Sequence, residues 1–252
     1  MLHPEAPPLI RAVLALHIVA GTLALIVVPV VLAVRKGGPT HRRLGLVYVN
    51  GMFVVAATAF VVGPYFRDYF LLLIAIFSSY LTFLGWRALA RKHPAQQPAG
   101  MSDWAAAIIA AAAGAGMIGI GIVQRGQLAG FSSVLYVLGS LCIGAGARSM
   151  YQFFRPPASR LAWLFAHFGN MLAAYIATVS AFSAVNFHFI HPVWLRWLWP
   201  TVVGTLVITY STAHYRSKLA QGARIQQLVT IRRAPVSFAA AEGQAGVETG
   251  VA

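Results

Sequence analysis

Long apolar runs separated by short polar connections dominate the pattern of this chain. A membrane-spanning helix needs about 20 mainly apolar residues. Seven stretches meet that need: 12–34, 44–62, 69–89, 104–123, 131–153, 161–185 and 194–215. The pattern predicts an all-α polytopic transmembrane bundle over 1–215. A basic segment and a disordered tail, 216–252, follow, with a short surface helix expected over 217–229. Pro29 is expected to bend the first span. Trp194, Trp197 and Trp199 are expected to anchor the outer end of the seventh at the interface.

The connections alternate in charge. One side carries fifteen basic residues: Arg35, Lys36, Arg42 and Arg43; then Arg87, Arg91 and Lys92; then Arg148, Arg155 and Arg160; then Arg216, Lys218, Arg224, Arg232 and Arg233. The other side carries four: Arg11, Arg67, Arg125 and Arg196. Positive residues stay on the cytoplasmic side. The N-terminus is therefore expected outside and the C-terminus inside, in a bacterial cytoplasmic (inner) membrane. An odd number of spans agrees.

Composition sharpens this picture. Of 252 residues, 59% are hydrophobic and 10% charged, against roughly 25% charged in soluble domains. A soluble enzyme and a disordered protein are excluded. The formal charge of +14 does not point to nucleic acid, because the basic residues sit in loops between spans. The lipid bilayer is the partner the composition implies. Cys142, alone in an apolar run, excludes a disulfide framework and a cysteine metal cluster, and reads as a small buried hydrophobe.

The chemistry must come from polar residues within or near the spans. Glu5, Asp68, Asp103, Glu242 and Glu248 lie in loops, at termini or at span ends, which argues against a proton-coupled transporter built on a buried acid. Histidines remain, and topology sorts them into two layers. The outer layer is His17, His188 and His191; the inner layer is His41, His167 and His214. Two imidazoles on different helices can ligate a b-type haem, so each layer is a candidate site: His17 with His188 or His191 outside, His167 with His41 or His214 inside. Gly21 and Gly45 each stand four residues after a histidine, on its helical face, where a flat cofactor needs room. Arg42 and Arg43 are placed for haem propionates. Two haems, one per leaflet, would move electrons across the bilayer. Covalent haem is excluded, since no CxxCH occurs. Glycines of the fourth and fifth spans, Gly114, Gly116, Gly119 and Gly121 with Gly139, Gly144 and Gly146, serve close helix packing or leave room for a cofactor.

Two segments carry a resemblance. One is His17-x3-Gly21, then Arg35-Lys36-Gly37-x3-His41-Arg42-Arg43-x-Gly45-x2-Tyr48, then Met52. The other is His167-x3-Met171-x2-Ala174-Tyr175, leading to Asn186. Together they resemble a family of uncharacterised bacterial multi-spanning membrane proteins, a domain of unknown function, over residues 12–215. The resemblance implies the architecture and the choice of His17, His41 and His167, and no reaction. The His-Arg-x2-Gly stretch is also similar to transmembrane b-type cytochromes reduced by ascorbate.

Three functions remain open at this point. One is a haem-binding electron-transfer protein, whose redox partner the sequence does not name. Another is a transporter or small-molecule binding protein with a pocket of histidines, Tyr48, Asn50, Asn170 and Tyr175. The third is a membrane enzyme with zinc on the inner histidines. A structural or assembly role is the remaining alternative.

Overall fold

The computed structural model describes residues 5–93, 96–126, 128 and 130–221. Seven α-helices make up the fold: α1 (Pro8–Ala33), α2 (Pro39–Tyr65), α3 (Tyr69–Ala90), α4 (Met101–Val123), α5 (Ser132–Phe154), α6 (Ala162–Asn186) and α7 (Val193–Ala220). No strand occurs among the described residues. Helices α1 to α6 are long and apolar enough to cross a membrane. Helix α7 is longer still, but its Thr, Ser, Tyr and His content makes it less apolar.

Several helices outrun their apolar cores. Pro8 and Pro39 start α1 and α2 in the first turn, where proline loses no helical hydrogen bond. The second helix therefore begins five residues before the apolar run, and His41 lies in its first turn. Helix α1 stays continuous through Pro29. Helix α7 continues to Ala220; the rest of the expected surface helix and the tail, 222–252, lie outside the described residues.

Side-chain contacts bring one end of all seven helices together. His41 at the start of α2 reaches Val31 near the end of α1. Arg87 near the end of α3 reaches Asp103 at the start of α4. Arg91 sits over Phe153 at the end of α5, and Arg216 of α7 over Phe165 of α6. Every described member of the larger basic set therefore lies at this end, here called the basic end.

Helices α3 and α6 form the middle of the bundle, with α1 and α2 on one flank, α4 and α5 on another, and α7 against α6. The tightest seam joins α4 to α5. A Cβ on Gly114 would stand 2.6 Å from the Gly139 carbonyl, and one on Gly139 would stand 2.7 Å from the Gly114 carbonyl. Gly146 presses on Ala107 in the same way. These glycines serve packing rather than a cofactor. Cys142 is buried in this seam and donates to the Ala110 carbonyl at 3.0 Å. Exposed apolar side chains such as Leu16, Val19, Leu23 and Ile26 on α1 make a face that lipid, not water, can cover.

The α7 tryptophans divide their roles. Trp197 is buried and packs edge-on against Phe70 and Phe131. Trp199 donates to Ser183 at 2.8 Å. Only Trp194 is exposed. The anchor expectation is thus corrected for Trp197, because packing against Phe70 of α3 and Phe131 at the start of α5 claims its ring.

Candidate functional site: a histidine pair at the basic end

The α1–α2 connection is a tight turn. Gly37 adopts φ 72°, a left-handed conformation that glycine takes without steric cost. The turn starts α2 beside the end of α1. His41 Nδ1 then lies 3.3 Å from the Val31 carbonyl. Lys36 Nζ donates to the same carbonyl at 3.4 Å and also to Leu32. A cation on the last carbonyls of a helix complements its dipole, and burial lowers the Lys36 pKa.

His167 enters from the first turns of α6. Its Nδ1 lies 2.8 Å from the Gly85 carbonyl of α3. Gly85 is required for this approach: a Cβ there would meet Met171 at 2.8 Å. Sequence reasoning passed over Gly85, whose signal is only a lone glycine near a helix end.

The two rings meet. Their centroids are 6.5 Å apart at an interplanar angle of 67°. A carbonyl can only accept, so each Nδ1 carries the proton. Each Nε2 then has an unprotonated lone pair and no protein partner. A ring held through Nδ1 by a backbone carbonyl with Nε2 left open is typical of metal-ligating histidines. Two iron–nitrogen bonds of about 2 Å each, with about 1 Å from each nitrogen to its ring centre, span roughly 6 Å. The observed separation is of that size, so His41 and His167 are the residues that would hold such a metal. Gly45, one turn beyond His41, has open space where a Cβ would project. Arg42 and Arg43 are exposed beside it. Zinc fits less well. It wants three or four protein ligands, and no group of three or more His, Cys, Asp or Glu suited to a metal occurs among the described residues.

The remaining predicted ligands lie elsewhere. His214 is exposed on α7 and stacks on Tyr210. Its end of the helix is the expected one, but its face points away, so of the two inner pairings expected only His41 with His167 forms. His17 Nδ1 donates to Thr58 Oγ1 at 2.9 Å, with the Val55 carbonyl at 3.1 Å. Gly21 is closed by Val55 at 3.8 Å. The α1–α2 contact therefore fills the space an outer cofactor would need. His188 pairs with Arg196 at 3.1 Å, His191 is exposed, and no contact joins either to His17.

The alternative pocket does not assemble at the residues proposed for it. Asn170 donates to Ala166 of its own helix, Asn50 is exposed, and Tyr175 donates to Leu25 of α1. The Tyr48 hydroxyl is buried beside Thr82 and Thr178 without hydrogen-bond geometry to either.

One further charged group was hidden in the sequence. Asp103, read as a span-end residue, is 3% exposed. Arg87 donates to both of its oxygens, at 2.8 and 3.1 Å, and the Gly100 amide donates at 2.9 Å. Arg91 stands 3.9 Å away. Its signal was positional: an acid three residues after Gly100, where a helix-capping carboxylate belongs. No known protein family, curated protein or solved structure matches the chain.

Proposed function

We propose that this is a seven-span protein of the bacterial inner membrane that binds one b-type haem between His41 and His167. The haem supplies one-electron transfer, and the chain exchanges electrons with a partner at its basic, cytoplasmic end. The same reading keeps its kinship with the bacterial membrane family that its two motifs resemble. The observation that carries the proposal is the pair of imidazoles 6.5 Å apart, each turned by a backbone carbonyl so that Nε2 is left free. Val31 and Gly85 fix tautomer and ring direction, which lowers the ordering cost of ligation. Arg42 and Arg43 supply cations for propionates, and Lys36 holds the α1 end against which His41 is set. The proposal has one haem rather than a relay of two, because His17 is committed to Thr58. Its seventh span is α7, supported by the exposed Val202, Val203, Leu206 and Val207 midway along it.

The test is purification from cells supplied with haem, followed by absorption spectra before and after dithionite. The wild type should give a Soret band that shifts on reduction. His41→Ala and His167→Ala should each lose at least tenfold in haem content, while His17→Ala and His214→Ala keep it. A wild type that stays colourless even with added hemin would overturn the proposal. So would His41→Ala and His167→Ala variants that retain wild-type haem.

A further inference from the structure

A cavity of about 220 Å³ lies between α3, α5, α6 and α7, and neither histidine of the pair lines it. Its walls are largely apolar, with Phe77, Leu138, Ile176 and Trp197 among them. A cavity of about 150 Å³ lined by apolar side chains is enough to hold benzene, so this one has room for a ring bearing small substituents. Leu141 lines it and is 46% exposed on the outer surface of α5. The cavity therefore borders the lipid-facing surface, and a compound dissolved in the bilayer can reach it laterally.

The wall holds one unexplained polar group. Ser180 is 3% exposed, and its hydroxyl has no hydrogen-bond partner. Other hydroxyls in these helices satisfy themselves on a carbonyl three or four residues earlier: Ser78 on Ala75, Thr82 on Ser78, Thr178 on Ala174. Ser180 does not. A buried hydroxyl without a partner is costly, and an acceptor on a ligand in the cavity removes that cost.

We propose that this cavity binds a lipid-soluble carbonyl compound, about one substituted ring in size, through a hydrogen bond donated by Ser180. A carbonyl oxygen needs only a donor. Thr201 and Thr205, the other polar residues of the lining, can hold a second polar group of the ligand. The site lies 13 positions along α6 from His167, about 20 Å by the helical rise, and does not depend on haem being bound.

Trp197, buried in the wall, is the reporter. The probe is duroquinone (tetramethyl-1,4-benzoquinone), and durene (tetramethylbenzene) is its carbonyl-free match. In detergent or nanodiscs, duroquinone should quench tryptophan fluorescence saturably, and Trp197→Phe should abolish the saturable part. Durene should displace it. Ser180→Ala should weaken duroquinone about 3–10-fold, the worth of one hydrogen bond, and leave durene within twofold. Ala177→Phe, which fills the cavity, should abolish both. Linear quenching that Trp197→Phe leaves unchanged would overturn the proposal, as would a Ser180→Ala variant that binds duroquinone like the wild type. The conservative Ser180→Ala change decides the matter if the larger side chain prevents folding.

Discussion

Gly139→Ala adds a single methyl group at the α4–α5 seam and should open it. The new Cβ would lie 2.7 Å from the Gly114 carbonyl oxygen, 2.9 Å from Ile118 and 3.2 Å from Met117. Ordinary contact begins near 3.4 Å, so the helices must part by about 0.7 Å. The nearest atom is backbone on another helix and cannot swing aside. Overpacking of this kind costs about 1–3 kcal/mol. Alanine's better helix propensity returns about 0.5–1 kcal/mol, leaving a net loss of roughly 1–2 kcal/mol. Cys142, the chain's single cysteine, is buried one turn away on α5. A loss of that size raises the open population about 5–30-fold, and maleimide labelling of Cys142 should accelerate by the same factor. The SDS unfolding midpoint should fall in parallel. Gly119→Ala and Gly144→Ala are the controls, because nothing lies within 4 Å of a Cβ at either position. Both should be neutral or slightly stabilising. Wild-type labelling in Gly139→Ala, or equal acceleration in Gly119→Ala, would refute the packing argument.

Asp103→Asn leaves Arg87 without its carboxylate and Gly100 with a weaker cap; with the arginine side chain 30% exposed, the loss should be about 2–3 kcal/mol, read from the unfolding midpoint, and an added Arg87→Gln should recover part of it. His17→Ala should cost about 0.5–2 kcal/mol, as expected for an interhelical hydrogen bond in a bilayer, and leave any haem spectrum untouched; loss of the spectrum would restore an outer site. A reporter fused after Ala220 should be active only in the cytoplasm, and periplasmic activity would reverse the proposed topology.

The helices were legible because a run of about 20 apolar residues is what a helix needs to cross a bilayer, and all seven helices fall where the apolar runs stand. Their ends were less so. Polar residues such as Thr40 to Arg43 and Arg216 to Lys218 continue a helix through the interface, where hydropathy is silent. For the same reason Asp103 read as a loop-end acid, although Arg87 and Arg91 from the preceding helix enclose it. Counting residues from a span end gives depth, and depth placed His41 and His167 in one layer. It does not give azimuth. His214 shares that layer on an outward face, and His17 turns into α2 toward Thr58. The acceptor roles of Val31 and Gly85 are properties of backbone carbonyls, which no side-chain motif announces. Ser180 was passed over because a serine in an apolar helix ordinarily bonds its own backbone, and only the three-dimensional arrangement reveals that this one does not.

Hemin titration of the purified protein in nanodiscs tests the histidine-pair claim most directly. The Nδ1-protonated, Nε2-free pair predicts a sharp end point at one hemin per chain, with the low-spin spectrum of an iron bound by two imidazoles. The double variant His41→Ala/His167→Ala should show no end point. An end point at two per chain, a high-spin spectrum, or an unchanged titration in the double variant would contradict the account.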